Sequence, residues 1–112
     1  MPAGLPLTDL AFNILLALSD ESLHGYALVK NLRELEGRES LRTGTVYAAL
    51  ARLQDDGWVE ETQPDADDSD SRRRYYRTTA VGLDMARAEA SRLKRVLGLA
   101  REKSLFGEPA RG

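Results

Sequence analysis

The sequence predicts a mainly helical fold: three short helices, then a two-stranded hairpin, then one long helix. Three observations predict it. Apolar residues recur at helical spacing through roughly the first half of the chain. The period then changes to that of strands around Trp58–Thr62 and Arg72–Thr78, with a turn-forming segment between them. The helical period returns at Thr79 and persists to about Ser104.

The first helix starts near Thr8, a natural N-cap. Leu7, Leu10, Ala11, Ile14, Leu15 and Leu18 fall at steps of three and four and line one face. Ser19-Asp20-Glu21-Ser22 breaks the pattern, and Ser22 is suited to cap the next helix. A second helix is expected from about Leu23 to Leu35, with Leu28, Leu32 and Leu35 as its buried stripe and Gly37 as its stop. Gly25 is out of place inside a helix, where glycine costs about 1 kcal/mol against alanine. Either the helix starts after it, or something packs closely against its backbone.

The third helix is short. Thr43 or Thr45 is expected to cap it, Val46, Leu50 and Leu53 point inward, and Gly57 closes it. Pro64 to Ser71 reads as the hairpin tip and is acidic, with Asp65, Asp67, Asp68 and Asp70. In the last helix, Ala86, Leu93 and Ala100 are spaced by seven, and Ala90, Val96 and Leu97 fill the intermediate positions. Roughly 25 residues at 1.5 Å each give a rod approaching 40 Å. One small domain cannot cover that stripe, so the helix is expected to pair with a second copy, with Leu15 and Leu18 of the first helix completing the interface. The expected organisation is residues 1–79 as the globular unit, 80–106 as the dimerisation helix and 107–112 as a frayed tail.

Composition narrows the function classes. The chain has 112 residues, enough for one core, with 42% hydrophobic and 30% charged residues. No apolar run is long enough to cross a bilayer, and Met1 to Leu7 lacks the basic and apolar regions of a signal peptide. There is no cysteine, which excludes disulfides and thiolate metal sites and fits a reducing, cytoplasmic setting. His24 is the single histidine, which excludes a histidine metal cluster within one chain. No cofactor is expected. Asp20, Ser22 and His24 lie on one short turn, so they cannot align as a catalytic triad, and no phosphate loop is present. An enzyme is not expected. Trp58 reads as core between hairpin and helix, the other reading being a stacking surface for a ligand.

The order of elements describes a winged helix-turn-helix, in which the second helix braces a short third helix that fits a major groove. The net charge of −2 runs against nucleic-acid binding, but its distribution is uneven. The acidic residues gather between Glu60 and Asp70, whereas Arg72, Arg73, Arg74 and Arg77 form a basic run. Arg72, Arg73 and Arg74, with Arg42 and Arg52, have two readings: phosphate contacts, or a solvated surface. Thr43 and Thr45 likewise suit a helix cap, or contact with a phosphate or a thymine methyl. Lys30 and Arg33 read as a solvated helix face.

His24-Gly25-Tyr26, Gly44-Thr45-Val46-Tyr47, Ala49-Leu50, Arg52-Leu53, Asp56-Gly57-Trp58-Val59-Glu60 and Arg73-Arg74-Tyr75-Tyr76, leading to Thr78 and Gly82, form an ordered set. In that order the chain resembles the PadR transcriptional regulators over roughly Leu10 to Ala100. The resemblance implies a homodimeric DNA-binding regulator, usually a repressor, of the short branch with a single C-terminal helix. It implies double-stranded DNA as partner, with Tyr47 placed where its hydroxyl meets a phosphate, the other reading of Tyr47 being a half-buried aromatic that supports the third helix. The expected DNA contacts are Arg42, Thr43, Gly44, Thr45, Tyr47, Arg52, Arg72, Arg73, Arg74 and Tyr76. Short relatives sometimes hold flat aromatic compounds at the dimer centre, so a small aromatic effector is a candidate partner. Two places depart from the family pattern: Arg42-Thr43 stands where Ser-Pro is common, and Ala48 where proline is common. Those departures bear on base preference, not on fold. The rival expectation, favoured by the acidic hairpin tip, is a winged helix used for protein contacts without specific DNA binding.

Overall fold

The computed structural model describes residues 7–63 and 73–107. The elements run α1 (Asp9–Ala17), β1 (Leu23–His24), α2 (Gly25–Glu36), α3 (Thr43–Asp55), β2 (Val59–Thr62), β3 (Tyr75–Thr78) and α4 (Ala80–Glu102). This is the mainly helical winged helix-turn-helix that the sequence predicts, with one addition. The two-residue strand β1 joins the hairpin, so the sheet has three antiparallel strands in the order β1-β3-β2. Leu23 pairs with Tyr76 and His24 with Tyr75, while Val59 to Thr62 run against Thr78 to Tyr75.

Each helix end has a local cause. The Thr8 side chain accepts from the Ala11 N–H at 3.1 Å and caps α1. The expected cap of α2 is corrected: His24, not Ser22, holds that place, its Nδ1 accepting from the Ala27 N–H at 3.2 Å. Gly37 and Gly57 both take positive φ, 66° and 80°. There the chain turns back so that Arg38 N–H bonds the Arg33 carbonyl and Trp58 N–H bonds the Leu53 carbonyl. At α3 the expected threonine cap is absent. Arg42 is the N-cap and makes no side-chain cap bond, and Thr43 is already helical.

The core sits where α1, α2 and α3 converge under the sheet. Ile14, Leu15, Leu18, Leu28, Leu32, Val46 and Leu50 are fully buried there, with Leu53, Trp58, Val59 and Met85 around them. Trp58 thus has the core role. Two expectations are corrected by burial. Leu35 is 49% exposed, so the stripe of α2 ends at Leu32 with Val29 beside it. Leu15 and Leu18 are 0% and 1% exposed, so neither reaches a second copy.

Helix α4 is fastened by its first turn. Thr79 Oγ1 accepts from the Gly82 N–H and donates to the Gly57 carbonyl, while the Thr79 N–H bonds the Trp58 carbonyl. Thr78 Oγ1 donates to the Leu15 carbonyl and ties β3 to α1. The buried residues of α4 are Gly82, Met85 and Glu89, all in its first half. No helix among the described residues is long and apolar enough to cross a membrane.

Candidate nucleic-acid interface

Helix α3 divides its surface as a groove-entering helix must. Val46, Leu50 and Leu53 are buried in the core, while Thr43, Gly44, Thr45, Ala48, Ala51 and Arg52 are exposed. Tyr47 is 42% exposed and lies against the start of α2. The reason is Gly25. A Cβ built there would meet the Tyr47 hydroxyl and would come within 2.7 and 2.8 Å of two ring carbons. Of the two explanations that the sequence suggests for this glycine, the second holds: an aromatic ring packs on its backbone, and α2 starts at Gly25 itself, not after it.

Thr43 and Tyr47 are one turn apart and line a cleft between α2 and α3 of about 290 Å³, with Tyr26, Lys30, Arg33 and Glu39. Arg33 has a structural task there, its Nε donating to the Leu41 carbonyl at 3.0 Å and holding the turn before α3. Thr45 faces elsewhere. It lines a separate depression with Leu10, Asn13, Glu36, Leu41 and Leu93.

The wing approaches from the other side of Tyr47. His24, Tyr26, Tyr47, Arg73, Arg74 and Tyr76 surround a shallow depression of about 360 Å³. Arg73 Nη1 lies 3.3 Å from His24 Nε2. The His24 ring lies parallel to Tyr26 at 6.4 Å and takes the edge of Tyr75 at 5.4 Å. Strand alternation separates the paired tyrosines. Tyr75 is half-buried, whereas Tyr76 is buried and meets the depression only as its floor. Burial, helped by the Glu61 carboxylate, raises the pKa of the Tyr76 hydroxyl above 10.0.

The wing cations are partly neutralised across the strands. Arg77 Nε bonds Glu60 at 2.7 Å in the directly opposed pair, and Arg74 reaches Glu61 at 3.6 Å. Both pairs are exposed and contribute little to stability, but they lower the positive potential of the wing. Arg72 and the aspartates at 65, 67, 68 and 70 lie outside the described residues. Arg42 and Arg52 are exposed at opposite ends of α3.

The face therefore contains three residues absent from the sequence-based set of DNA contacts: His24, Tyr26 and Lys30. The sequence carries a signal for two of them. Tyr26 is a large aromatic off the Leu28–Leu32 stripe, and it is 74% exposed. His24 and Tyr26 flank the glycine whose placement in a helix demands an explanation.

The self-association candidates lie along α4. Ala90, Val96 and Leu97 are exposed, and Ala86, Leu93 and Ala100 are half-buried. Ala90, Leu93 and Leu97 line an open groove of about 560 Å³ with Phe12, Lys94 and Arg101.

Comparison with known proteins places this geometry. The model of the transcriptional regulator PadR-like family matches residues 14–88. The chain is 27% identical to a PadR-like transcriptional regulator from Bacillus cereus strain ATCC 14579, with a TM-score of 0.74 over 88% of this chain and 93% of that one. It is 31% identical to a PadR family transcriptional regulator from Eggerthella lenta DSM 2243, with a TM-score of 0.63 over 88% and 83%. It is also 30% identical over 100 residues to an uncharacterized 37.1 kDa protein in transposon TN4556 of Streptomyces fradiae. That match spans 89% of this chain but only 27% of the relative's length.

Proposed function

The chain belongs to the PadR-like family of transcriptional regulators, and from that premise we propose that it is a cytoplasmic repressor that binds an inverted-repeat operator as a homodimer. A DNA-binding regulator is what the family and the fold establish, and the family consists of regulators, not enzymes. The finer reading rests on one observation. Thr43 and Tyr47 of α3, the start of α2, and Arg73 and Arg74 of the wing come together around Tyr47.

In this reading α3 of each subunit enters a major groove. Thr43, Gly44 and Arg52 approach base edges or backbone, and Arg42, Tyr47, Arg73 and Arg74 approach phosphates, while Thr45, turned to the depression beside α1 and α4, is left out of the contacts. Two-fold symmetry sets the half-sites about 34 Å apart, on one face of the duplex. The pairing surface is the α4 stripe of Ala86, Ala90, Leu93, Val96, Leu97 and Ala100. Residues 1–79 form the DNA-binding unit and 80–106 the dimerisation helix. A small aromatic effector, seated between the two α4 helices, changes the separation of the α3 helices and shifts the DNA-competent population.

The ion pairs Arg77–Glu60 and Arg74–Glu61 favour a second reading, a winged helix that contacts protein. One titration separates the two. DNA from upstream of the protein's own gene is followed by fluorescence anisotropy at near-physiological salt, with unrelated duplex in excess. Tight binding that resists the competitor and weakens in the Arg73→Ala/Arg74→Ala variant supports the repressor reading. A folded dimer that retains no bound fragment from a genomic selection supports the protein-contact reading.

A further inference from the structure

We propose that the turn after α4, which carries Leu105 and Phe106, docks in the groove beside Phe12 of a second copy and clasps an antiparallel pair of α4 helices. The proposal rests on the pairing reading above and adds a segment that lies beyond the α4 stripe. The chain leaves α4 through Ser104, whose φ is 61°. Among the described residues no other side-chain-bearing residue takes a positive φ. Two backbone bonds hold the turn: the Ser104 N–H donates to the Arg101 carbonyl at 3.0 Å, and the Leu105 N–H to the Ala100 carbonyl at 2.9 Å. In such a turn the residue at the place of Leu105 packs on the residue at the place of Ala100. A methyl group covers little of a leucine, and Leu105 is left 71% exposed. Phe106 is 49% exposed, its ring held by the Arg101 guanidinium at 5.5 Å from the ring centre. The turn is thus tied to the helix while its two large apolar side chains face outward.

A second copy supplies their cover. The buried residues of α4 are all in its first half, so the globular unit sits at that end, and the stretch from Ala90 to Glu102 projects from it over about 20 Å. A parallel pair would press the two globular units together. An antiparallel pair sets them at opposite ends and lays one projecting half along the other. With the two-fold axis near Val96, midway along that half, Leu105 and Phe106 of one copy stand opposite Arg87 and Ala86 of the other. There the groove of Phe12, Ala90 and Leu93 begins, with a volume of about 560 Å³. Its floor is apolar, and Lys94 and Arg101 stand at its rim, so an entering aromatic ring meets cations at its face. Gly98, on the same groove, supports a neighbour from outside the chain. Glycine weakens a helix interior. Gly25 and Gly82 each have a neighbour pressed on them, whereas nothing lies within 4 Å of a Cβ built at Gly98. A second chain in the groove gives that glycine a packing reason.

The chain has no cysteine, so introduced thiols report the contact directly. Phe12→Cys and Phe106→Cys are made in separate full-length chains, mixed, allowed to exchange and oxidised. Because each chain carries one thiol, a link between positions 12 and 106 joins two copies. A disulfide-linked heterodimer from the mixture, with far less linkage in either chain alone, is the expected result. Ala90→Cys, on the exposed wall of the same groove, replaces F12C in a second mixture and leaves the α1 core untouched. The Leu105→Ala/Phe106→Ala variant is expected to raise the dimer dissociation constant by roughly tenfold in sedimentation, with helical content and melting temperature unchanged. Placed on Phe12→Ala, it is expected to cost almost nothing further, because the two surfaces act on each other. A dimer in which F106C links only to itself, or in which neither groove cysteine links to position 106, overturns the clasp and leaves the dimer standing. Wild-type dimer affinity in L105A/F106A overturns it as well. A folded wild-type chain that stays monomeric at all concentrations removes the pairing reading, and the clasp with it.

Discussion

The Tyr47 ring lies directly over Gly25, so close that no side chain fits between α3 and the start of α2. This contact sets where the Tyr47 hydroxyl stands on the proposed DNA face. Gly25→Ala tests it with opposed expectations. Helix propensity favours alanine by up to about 1 kcal/mol. The added methyl must displace the ring or spread the helices, at about 1–3 kcal/mol. The second effect is expected to win in urea unfolding, and DNA affinity is expected to fall with it. Tyr47→Ala in the same chain is expected to restore much of the lost stability. A G25A protein as stable as wild type, with undiminished DNA binding, would show that the ring swings aside freely.

Gly82 poses the same question against a harder neighbour. A Cβ there would strike the Trp58 carbonyl oxygen, and would lie 2.7 Å from Thr78 Cγ2. Backbone cannot rotate away as a tyrosine can. Gly82→Ala is therefore expected to cost about 3 kcal/mol and to lower the melting temperature by roughly 10 °C or more. It loosens the first turn of α4, where Thr79 joins Gly57 and Gly82. An unchanged melting temperature would mean that α4 is not held by that turn.

The two glycines show where the sequence is legible and where it is not. Helix α3 is readable because Val46, Leu50 and Leu53 have no alternative inward face, and Gly57 marks its end. Thr79 is readable as the start of the last helical segment because the strand period stops there. Gly25 announces a close approach but not its partner, since Tyr47 is 22 residues away and only the packing of α2 on α3 brings them together. The strand β1 is invisible because two residues carry no period. It also fixes the cap, since pairing Leu23 and His24 with β3 starts α2 later than a Ser22 cap would. Leu15 fails as a dimer contact for a related reason. Helical spacing names a face, but only the sheet behind it says that Thr78 closes over Leu15.

Glu89 does not stand out in the sequence, yet it is 3% exposed in the middle of α4. Arg92 grips its carboxylate with two bonds, Nε at 3.1 Å and Nη2 at 2.6 Å. Those bonds outweigh burial, and with the Arg92 charge and the Leu7 backbone they hold the Glu89 pKa below 4.5. The folded value lies below the unfolded one, so the ionised carboxylate stabilises the fold. That contribution is complete above pH 4.5 and is lost as pH falls through the lower folded value. Glu89→Gln is expected to be less stable than wild type at neutral pH. In urea titrations across the acid range the two proteins are expected to converge. Parallel curves with no convergence would mean that the carboxylate charge does not contribute.

The second half of α4 raises the question of assembly. From Ala90 to Glu102 no residue is buried, yet Val96, Leu97 and Leu99 are all at least 45% exposed. A single copy gains little from keeping such a helix apolar, whereas a symmetric pair buries the stripe twice. Leu97 stands at the edge of the groove formed with Phe12, Ala90 and Leu93. Leu97→Glu places two carboxylates in the proposed seam, one from each copy. Sedimentation is expected to show dimer affinity weakened by roughly a hundredfold or more, with helical content unchanged. The monomer is expected to hold a single half-site only, so affinity for an inverted repeat falls while low-salt binding to mixed-sequence duplex falls much less. A variant that sediments as the wild-type dimer would place the interface elsewhere. A wild-type protein that is monomeric at all concentrations would remove the dimer, and the two-half-site geometry with it.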